Sequence, residues 1–592
     1  MRHLEHFPNL VAMFFARAAE KGERPFLWRK HDGIWQPTSW AEAARKVASL
    51  ATALQALGLQ RGDRVMLVSE NRPEWCISDL AIMAAGLVTV PAYVTNTERD
   101  HQHVLENSGA CAVIVSTEKL ARTLMPAVIR SNQGQLLIGI DEMRFPATVE
   151  HHDWRDLIAR HPTEPATLPL PFAREDLACI IYTSGTGGAP RGVMQHHGAI
   201  LHNVAGTVAV ISEDYGWGEE VFLSFLPLSH AYEHTAGQHV PIGLGGQIYY
   251  AEGLDRLAAN IEEARPTLMV VVPRLFEVLR ARITKAVEKQ GGLARRLLAT
   301  ALELGAREQA GGLRWRDRPA KIAVDTLLRP KMRKRFGGRL KALVSGGAPL
   351  TPEVGLFFQS IGIELLQGYG QTEAAPVISC NRPGAGIRMD TVGPPLPGVE
   401  VRIADDGEIL VRGEQVMHGY WRNDAETARV LQDGWLHTGD IGLFDDGGRI
   451  RITDRKKDLI INDKGDNVAP QRVEGMLTLQ PEIIQAMIAG DRRPYMVALL
   501  VPDPEWVQEW CAANGQTCSF TGLAENSAFR TALGRAVERV NRDLSVIERV
   551  RRFVLADEPF TIENGQLTPS LKIRRHMIRE IYGERLDALY KS

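Results

Sequence analysis

Short apolar runs alternate with longer amphipathic segments through most of the chain. Residues 64–70, 110–117, 136–141 and 268–273 are rich in Val, Leu and Ile, and a helical pattern begins at Glu74. Continuous apolar runs of this length are typical of parallel strands buried on both faces and covered by helices. The pattern predicts an α/β fold with a large N-terminal domain of layered α/β subdomains.

The periodicity changes near residue 396. Residues 396–413 and 433–455 alternate apolar and polar positions around Asp-Gly pairs. Alternation of period two around such turns is typical of antiparallel hairpins. We therefore predict a small β-rich subdomain that begins near Leu396.

A third pattern follows, with a strand-like run at 495–502 and amphipathic segments at 529–540 and 572–582. A chain of 592 residues exceeds what one hydrophobic core normally supports. We place a domain boundary within DRKKD. The predicted domains are 1–456 and a small α+β domain at 457–592.

Composition narrows the function classes. Hydrophobic residues make up 44% of the chain and charged residues 24%, as in a soluble globular protein, and the net charge of −2 argues against a nucleic-acid partner. The six cysteines form no CxxC pair, which argues against a zinc site or a disulfide framework. Because the N-terminus lacks a signal-peptide core and no apolar run reaches membrane-spanning length, we expect a cytoplasmic protein.

One segment departs from this neutral balance. Residues 280–341 contain 18 Lys or Arg against five Asp or Glu, an excess of 13 positive charges. One interpretation is a helical insertion whose charges face water. The other is a surface that makes peripheral contact with anionic membranes, since each basic residue near such a surface contributes about 1 kcal/mol.

The stretch IYTSGTGGAPRGV, residues 181–193, concentrates glycines and hydroxyl side chains behind an apolar run. Glycines let several backbone N–H groups point toward one centre, and Arg191 adds a fixed positive charge. The loop is therefore suited to a polyphosphate. It lacks the Gly-Lys-Ser/Thr ending of a Walker A motif, which argues against a P-loop NTPase.

This loop resembles the signature loop of the adenylate-forming (AMP-binding) superfamily, which includes acyl-CoA synthetases, luciferases and peptide-synthetase adenylation domains. Seven further blocks stand in the order of that family: LPLSHAYEH (226–234), VPRLFE (272–277), SGGAPL (345–350), GYGQTE (368–373), HTGD (437–440), DRKKDLIINDKGDNVAPQRVE (454–474) and LTPSLKIRR (567–575). They span nearly the whole chain. The resemblance implies an enzyme that uses ATP and Mg²⁺ to activate a carboxylate and then transfers the acyl group to CoA.

The resemblance also implies roles for individual residues. The residues expected to bind the β and γ phosphates are Thr183, Ser184, Gly185, Thr186, Gly188 and Arg191. Thr372 is expected at the α-phosphate, and Glu373 is expected to be the catalytic carboxylate that coordinates Mg²⁺. The adenine ring is expected to stack on Tyr369 beside Gly346, Gly347 and Ala348.

The remaining roles concern the ribose, the acyl group and the second half-reaction. Asp440, predicted at the end of a strand, and Arg455 are expected to bind the ribose, and His230 lies beside the carboxylate end of the acyl pocket. Lys572 is expected to be the catalytic lysine, which offsets charge on the α-phosphate during adenylation. Lys457 matches the hinge about which a mobile C-terminal domain would bring Gly465 toward CoA.

Three positions depart from the family pattern. Gly187 stands where a Thr or Ser is usual, Arg191 replaces the usual Lys, and Leu571 precedes Lys572 where many members have Gly. A guanidinium keeps the charge of the ammonium but has a planar geometry. None of the three removes a catalytic group.

The long basic insertion and the DRKKDLI and VAPQRVE runs resemble the long-chain fatty acyl-CoA synthetase branch, so a long-chain fatty acid is the expected substrate. Burial of a chain contributes about 0.8 kcal/mol per methylene, so selectivity requires only a deep apolar tunnel. Alternatives are a ligase for a medium-chain, very-long-chain or aromatic carboxylate, and an acyl-AMP ligase. A non-enzyme alternative is an acyl- or nucleotide-binding pseudoenzyme.

Overall fold

The structure is a computed structural model that describes residues 4–146, 149–183, 190–309, 311–456, 460–464, 466–516, 520–568 and 573–591. Two large, mostly parallel sheets form the N-terminal part of the chain. In spatial order, the eight-stranded sheet contains Val377–Cys380, Leu365–Gly370, Ala342–Ser345, Leu268–Val271, Val221–Ser224, Gln247–Tyr250, Pro25–His31 and Ile34–Ser39. The seven-stranded sheet contains Glu150–Asp153, Leu136–Gly139, Ala112–Val115, Arg64–Val68, Val88–Ala92, Leu177–Thr183 and Arg191–His196.

The predicted strands at 64–70, 110–117, 136–141 and 268–273 are confirmed, and each pairs in parallel with its neighbours. Antiparallel pairing in these two sheets occurs at their margins, including the pair Leu177–Thr183 and Arg191–His196. The glycine-rich loop therefore joins the two strands of a hairpin at one edge of the seven-stranded sheet.

The predicted hairpins after residue 396 are also confirmed. They form a five-stranded antiparallel sheet: Glu400–Ile403, Glu408–Arg412, Leu431–Gln432, Trp435–Phe444 and Ile450–Arg455. Asp440 does not lie at a strand end as expected, because the strand Trp435–Phe444 continues past it with a register shift at Ile441.

The C-terminal part has a three-stranded sheet of Ile483–Ala489, Met496–Pro502 and Val550–Leu555, and a short pair Ile460–Ile461 and Asn467–Val468. Separate hydrophobic cores cover the two faces of the three-stranded sheet. The fold is thus a mixed α/β architecture with a large N-terminal domain and a smaller C-terminal domain.

Helices cover the sheets and connect the strands. The α-helices of the described residues are Leu10–Lys21, Trp40–Ala56, Pro73–Ala84, Glu98–Ser108, Glu118–Ser131, Trp154–Arg160, His197–Tyr215, Ala231–Glu233, Val240–Leu244, Leu257–Ala264, Pro273–Lys289, Gly292–Gln309, Arg318–Leu327, Arg329–Arg335, Pro352–Ser360, Asp424–Val430, Pro470–Thr478, Pro504–Asn514, Phe520–Glu525, Ser527–Asn541 and Arg575–Ala588. Shorter 3₁₀ turns occur at Leu4–His6, Pro165–Thr167, Trp315–Asp317, Thr372–Ala374 and Pro383–Ala385, and one π-helix at His234–His239.

Local sequence explains where several helices begin and end. Ser39 Oγ accepts a hydrogen bond from the Glu42 N–H at 3.1 Å and so caps the helix that follows. Thr97 and Asp100 form a capping box, and that helix ends at Gly109, whose φ of 63° favours glycine. These caps satisfy N–H groups that a helix terminus would otherwise leave without partners.

The largest core joins the two large sheets through the first three long helices. Trp40 and Trp75 are fully buried in it, and the ring of Phe26 stacks on Trp40 with 3.7 Å between centroids. Burial of large aromatic side chains contributes strongly to the stability of such a core. The core therefore supports the edges of both sheets, where the candidate site lies.

Within the described ranges, helices that combine the length and apolarity needed to cross a bilayer are absent. Five of the six cysteines are free thiols, and Cys518 lies outside the described residues.

Candidate active site

The predicted ribose and adenine residues meet at the junction of the eight-stranded and five-stranded sheets. Tyr369 lies near the carboxyl end of the strand Leu365–Gly370. Asp440 and Arg455 lie directly opposite each other on adjacent antiparallel strands. Arg455 Nε donates to Asp440 Oδ1 at 2.8 Å, and the Tyr369 hydroxyl donates to Asp440 Oδ2 at 2.7 Å. We call these three residues the sugar side of the site.

Two of these three side chains are buried, whereas the Arg455 side chain is 39% exposed. The Asp440 side chain is 4% exposed, and Tyr369 is 8% exposed. Burial, together with the nearby charge of Asp440, raises the pKa of the Tyr369 hydroxyl well above its usual value, so this hydroxyl remains a donor. Each carboxylate oxygen of Asp440 has a further lone pair with which it can accept a hydroxyl.

The glycine-rich hairpin lies on the other side of the site. Thr183 and Arg191, one on each strand of the hairpin, lie opposite each other in register. Gly192 faces the Tyr182 ring so closely that a Cβ would lie 3.1 Å from it. Five predicted or variant positions, Ser184, Gly185, Thr186, Gly187 and Gly188, lie outside the described residues.

Tyr420 connects this hairpin to Glu373. The Tyr420 hydroxyl donates to Glu373 Oε1 at 2.7 Å, and the Arg191 guanidinium lies 4.8 Å from the centre of the Tyr420 ring. Burial and the adjacent Glu373 raise the pKa of Tyr420. We call Arg191, Tyr420, Glu373 and Glu426 the phosphate side of the site.

Glu426 carries the last contact of the phosphate side. Its carboxylate forms ion pairs with Arg191 and with Arg429. The hydrogen bond from Arg429, with the charge of Arg191, outweighs burial and lowers the pKa of Glu426 to about 2. Arg191 is therefore already paired with a carboxylate, for which a phosphate would have to compete.

Thr372 and Glu373 lie in the 3₁₀ turn Thr372–Ala374. The Thr372 carbonyl accepts a hydrogen bond from Gln195 Nε2 at 2.7 Å, and Asn203 Nδ2 donates to the carbonyl of Ala374 at 3.2 Å. Two buried amides thus hold the backbone of the turn. The 3₁₀ turn directs the Glu373 carboxylate toward the Tyr420 hydroxyl.

The SGGAPL loop follows the strand Ala342–Ser345. A Cβ on Gly346 would lie 2.8 Å from the Tyr232 ring, and Gly347 has a φ of 80°, so glycine is required at both positions. Ala348 is exposed. The loop lies at the carboxyl end of a parallel strand, where ligands bind in open α/β sheets.

His230 caps the short helix Ala231–Glu233, and its Nδ1 accepts a hydrogen bond from the Tyr232 N–H at 3.1 Å. The predicted Lys457, Gly465 and Lys572 lie outside the described residues. Their placement in the site stays a prediction.

The sequence reasoning missed Tyr420 and Glu426. Both lie in the run HGYWRNDAE, residues 418–426, where two adjacent aromatics interrupt a polar stretch. Aromatic residues in a polar loop could have indicated a site, but only the fold reveals their partners. The backbone of Met417–Trp421 pairs with the strand Arg191–His196 and with Glu373, although these segments are far apart in sequence.

The fold and the site together define a two-domain α/β protein with a cluster of polar side chains where the eight-stranded and five-stranded sheets and the glycine-rich hairpin meet. The AMP-binding enzyme family matches residues 14–421, and the AMP-binding enzyme C-terminal domain matches residues 457–592. The chain belongs to the AMP-binding enzyme family.

Relatives of known name cover the whole chain. The long-chain-fatty-acid–CoA ligase FadD15 of Mycobacterium tuberculosis is 33% identical over 99% of this chain and 97% of its own length. The peroxisomal long chain acyl-CoA synthetase 7 of Arabidopsis thaliana is 32% identical over 95% of this chain and 83% of its own. Among solved structures, the adenylation domain of a carboxylate reductase from Mycobacterium chelonae has a TM-score of 0.78 at 24% identity, covering 100% of this chain and 93% of its own.

Proposed function

We propose that the chain is a long-chain fatty acid–CoA ligase that forms AMP. The carboxylate of the fatty acid attacks the α-phosphorus of ATP, the bond to the β-phosphate oxygen breaks, and acyl-AMP and pyrophosphate form. The CoA thiolate then attacks the acyl carbon, and AMP leaves. The observation that carries this proposal is the identity above 30%, over nearly the full chain, with two long-chain ligases.

The sugar side supports a role in nucleotide binding. Asp440 is held in one position by Tyr369 and Arg455, so its orientation is fixed before ligand arrives. A preorganised acceptor avoids much of the ordering cost of binding. We assign Asp440 and Arg455 to the ribose, and Tyr369 with Gly346, Gly347 and Ala348 to the adenine.

The phosphate side supports a role for Mg²⁺ at Glu373. The Glu373 side chain is a half-buried carboxylate, an oxygen ligand of the kind that this hard cation prefers, and one of its oxygens is oriented by the Tyr420 hydroxyl. Bound Mg²⁺ would neutralise charge on the phosphates of ATP. Thr372 and Arg191, beside it, are assigned to the α- and β/γ-phosphates.

Lys572, Lys457 and Gly465 complete the proposal. The C-terminal family match begins at residue 457, the proposed hinge. Leu567 and Ile573, which flank Lys572 in sequence, form an isolated antiparallel bridge. We assign charge stabilisation during adenylation to Lys572, and the approach of Gly465 to CoA to rotation about Lys457.

AMP release tests this function, measured with ATP, Mg²⁺ and fatty acids from C6 to C20, with and without CoA, and with benzoate as the aromatic comparator. We expect CoA-dependent turnover that is highest for long chains. Lys572→Ala should lower adenylation by roughly two to three powers of ten. Highest turnover with benzoate, or acyl-AMP that CoA does not consume, would contradict the proposal; binding without AMP release would favour a pseudoenzyme.

We also propose peripheral contact between the basic segment and anionic membranes. Trp315 is 73% exposed and Ile322 is 62% exposed. Among the described residues, no carboxylate lies within 4.0 Å of the basic groups of Arg316 or Arg318. An exposed Trp beside cationic side chains suits the lipid headgroup region.

Sedimentation with vesicles tests this contact. We expect retention on phosphatidylglycerol vesicles at low salt, and loss of retention in Ile322→Glu. The control is Ile34→Glu, which places the same charge on another exposed Ile far along the chain. Equal retention of both variants would contradict the assignment to residues 280–341.

A further inference from the structure

A fully buried group of metal-ligating side chains lies apart from the nucleotide site. Asp79 comes from the helix Pro73–Ala84, and His234 and His239 stand at the two ends of the π-helix His234–His239. His234 Nε2 lies 2.9 Å from Asp79 Oδ2, and His239 Nε2 lies 3.8 Å from the same oxygen. All three ligand atoms lie within 4.8 Å of one another, and all three side chains are 0% exposed.

The π-helix is what brings the two imidazoles together. In an α-helix, residues five apart point in directions about 140° apart around the axis. A π-helix has hydrogen bonds from i to i+5, so residues five apart lie nearly one turn apart on the same side. The ring centroids of His234 and His239 are accordingly 4.7 Å apart. This wider turn is rare, and it occurs often at functional sites.

The protein itself satisfies only part of this cluster. Asp79 Oδ2 accepts hydrogen bonds from His234 and, at 2.7 Å, from Gln238 Nε2. Among the residues that the structure describes, none provides a hydrogen-bond partner for Gln238 Oε1, His234 Nδ1 or either ring nitrogen of His239. A buried polar group without a hydrogen-bond partner destabilises the folded state. His239 therefore contributes nothing to the cluster by hydrogen bonding, although it is fully buried.

A metal ion would use these lone pairs. A neutral imidazole has its proton on either nitrogen, so metal binding would require His234 to carry its proton on Nδ1 instead of on the Nε2 that donates to Asp79 Oδ2. His234 and His239 would then each present an unprotonated Nε2 beside a carboxylate oxygen of Asp79. Two imidazoles and one carboxylate suit Zn²⁺ and similar transition metals, whereas Mg²⁺ and Ca²⁺ prefer oxygen ligands alone. Gln238 Oε1, on the same turn, is an unpaired oxygen that could complete the coordination.

We propose that Asp79, His234 and His239 form a buried binding site for a divalent transition-metal ion, with Zn²⁺ as the ion that best matches these ligands. This metal site would stabilise the candidate active site through the π-helix His234–His239. Thr235, on the same π-helix, donates to the carbonyl of Ala375 at 3.2 Å, and Ala375 follows the turn Thr372–Ala374 directly. The ion would brace the turn that presents Thr372 and Glu373, and it is distinct from the Mg²⁺ that accompanies ATP.

The test uses the full chain, produced with any affinity tag removed and in medium supplemented with Zn²⁺ or Co²⁺, so that a buried ion can enter during folding. Metal content is measured by mass spectrometry after dialysis against EDTA. We expect about one retained ion per chain, a visible absorption spectrum of low-symmetry Co²⁺, and a higher Tm than that of protein produced without metal. Wild-type protein without retained metal in either medium would overturn the proposal, whatever its ligase activity.

The matched variants are His239→Gln, Asp79→Asn and, as the control, His101→Gln. His101 is a buried histidine of the helix Glu98–Ser108, outside the cluster. Retained metal should fall at least about tenfold in the two cluster variants and stay unchanged in the control. Equal retention in His239→Gln and His101→Gln would overturn the assignment. Circular dichroism of each variant checks folding, and the wild-type measurement decides the question if a cluster variant fails to fold.

Discussion

The two sides of the nucleotide site are built differently. On the sugar side, Asp440 is 4% exposed and lies on a regular strand, opposite Arg455 on the next strand and hydrogen-bonded to Tyr369 of the eight-stranded sheet. On the phosphate side, Glu373 lies on a single 3₁₀ turn, half-buried, and Arg191 is paired with Glu426. With the roles that we propose, the sugar side is formed before ATP binds, whereas the phosphate side would exchange protein ion pairs for phosphate and metal.

This difference follows from the chemistry of each end. A ribose is neutral, so a rigid buried acceptor can bind it without charge compensation. A polyphosphate brings several negative charges and leaves as pyrophosphate, so its binding groups must be able to release it. The Arg191–Glu426 pair, 25% and 20% exposed, is still in contact with water, which screens its attraction and eases an exchange of partners. We therefore expect substitutions on the phosphate side to lower mainly the activity, and substitutions on the sugar side to lower mainly the stability of the fold.

The largest expected effect is on activity at the phosphate side. Glu373→Gln should lower kcat/KM for ATP by roughly a hundredfold or more, because it removes the proposed metal ligand. The Tm should change little, since Glu373 is half-exposed. Steady-state AMP release and thermal unfolding measure the two quantities. Glu353→Gln, an exposed glutamate on the helix Pro352–Ser360, is the control and should change neither.

The next effect is on stability at the sugar side. Asp440→Asn should destabilise the fold by about 2–3 kcal/mol, because the buried Tyr369 hydroxyl and the Arg455 guanidinium lose the charge of the acceptor that they share. It should also raise KM for ATP. Urea unfolding measures the loss. The control is Asp390→Asn, which removes a partner of Arg451 that is 37% exposed, against 4% for Asp440, and should cost less than about 1 kcal/mol. Equal losses of unfolding free energy in the two variants would contradict the difference between a buried and an exposed carboxylate.

Tyr369→Phe removes one hydrogen bond and keeps the ring. We expect a loss of about 1.5 kcal/mol in unfolding free energy, typical of a hydrogen bond to a charged group. KM for ATP should rise only a few-fold, because the face that stacks on adenine remains. If ATP affinity falls as far as in Asp440→Asn, the hydroxyl rather than the ring is what matters for the nucleotide.

The smallest expected effect is on the stability of the fold at acidic pH. The pKa of Glu426 is lowered to about 2 in the folded protein, against about 4.3 for an unperturbed Glu. Its ion pairs therefore contribute stability above about pH 4.3, and that contribution is lost as the pH falls toward 2. We expect wild-type protein to exceed Glu426→Gln by about 1 kcal/mol at pH 6. The difference should shrink between pH 4 and 3 in urea unfolding; a constant difference would show that the charge is not its source.

Some parts of the site were predictable from sequence because they depend on local chemistry. The loop at residues 181–193 was predicted to suit a polyphosphate from its glycines and hydroxyls, and Tyr369 and Asp440 were predicted from their motif blocks. That the loop joins the two strands of a hairpin was not predicted. Other parts depend on contacts between distant segments. Tyr420 meets Glu373, and Glu426 meets Arg191, only because an irregular segment pairs with the edge strand Arg191–His196.

The buried cluster shows the same limit more strongly. Neither Asp79 nor His239 stands in a metal-binding motif, and the spacing of His234 and His239 is wrong for one face of an α-helix. A π-helical turn changes which residues share a face of the helix, and the hydrophobic periodicity of the sequence does not predict such a turn.

The sequence by itself therefore determined the alternation of strands and helices, the antiparallel change near residue 396, the family, and the residues expected to bind ATP. These follow from the apolar period and from motifs whose chemistry is local. The tertiary structure decided which carboxylate is buried, which arginine is already paired, and which histidines meet. Burial and pairing depend on packing between segments hundreds of residues apart, and no local pattern contains that information.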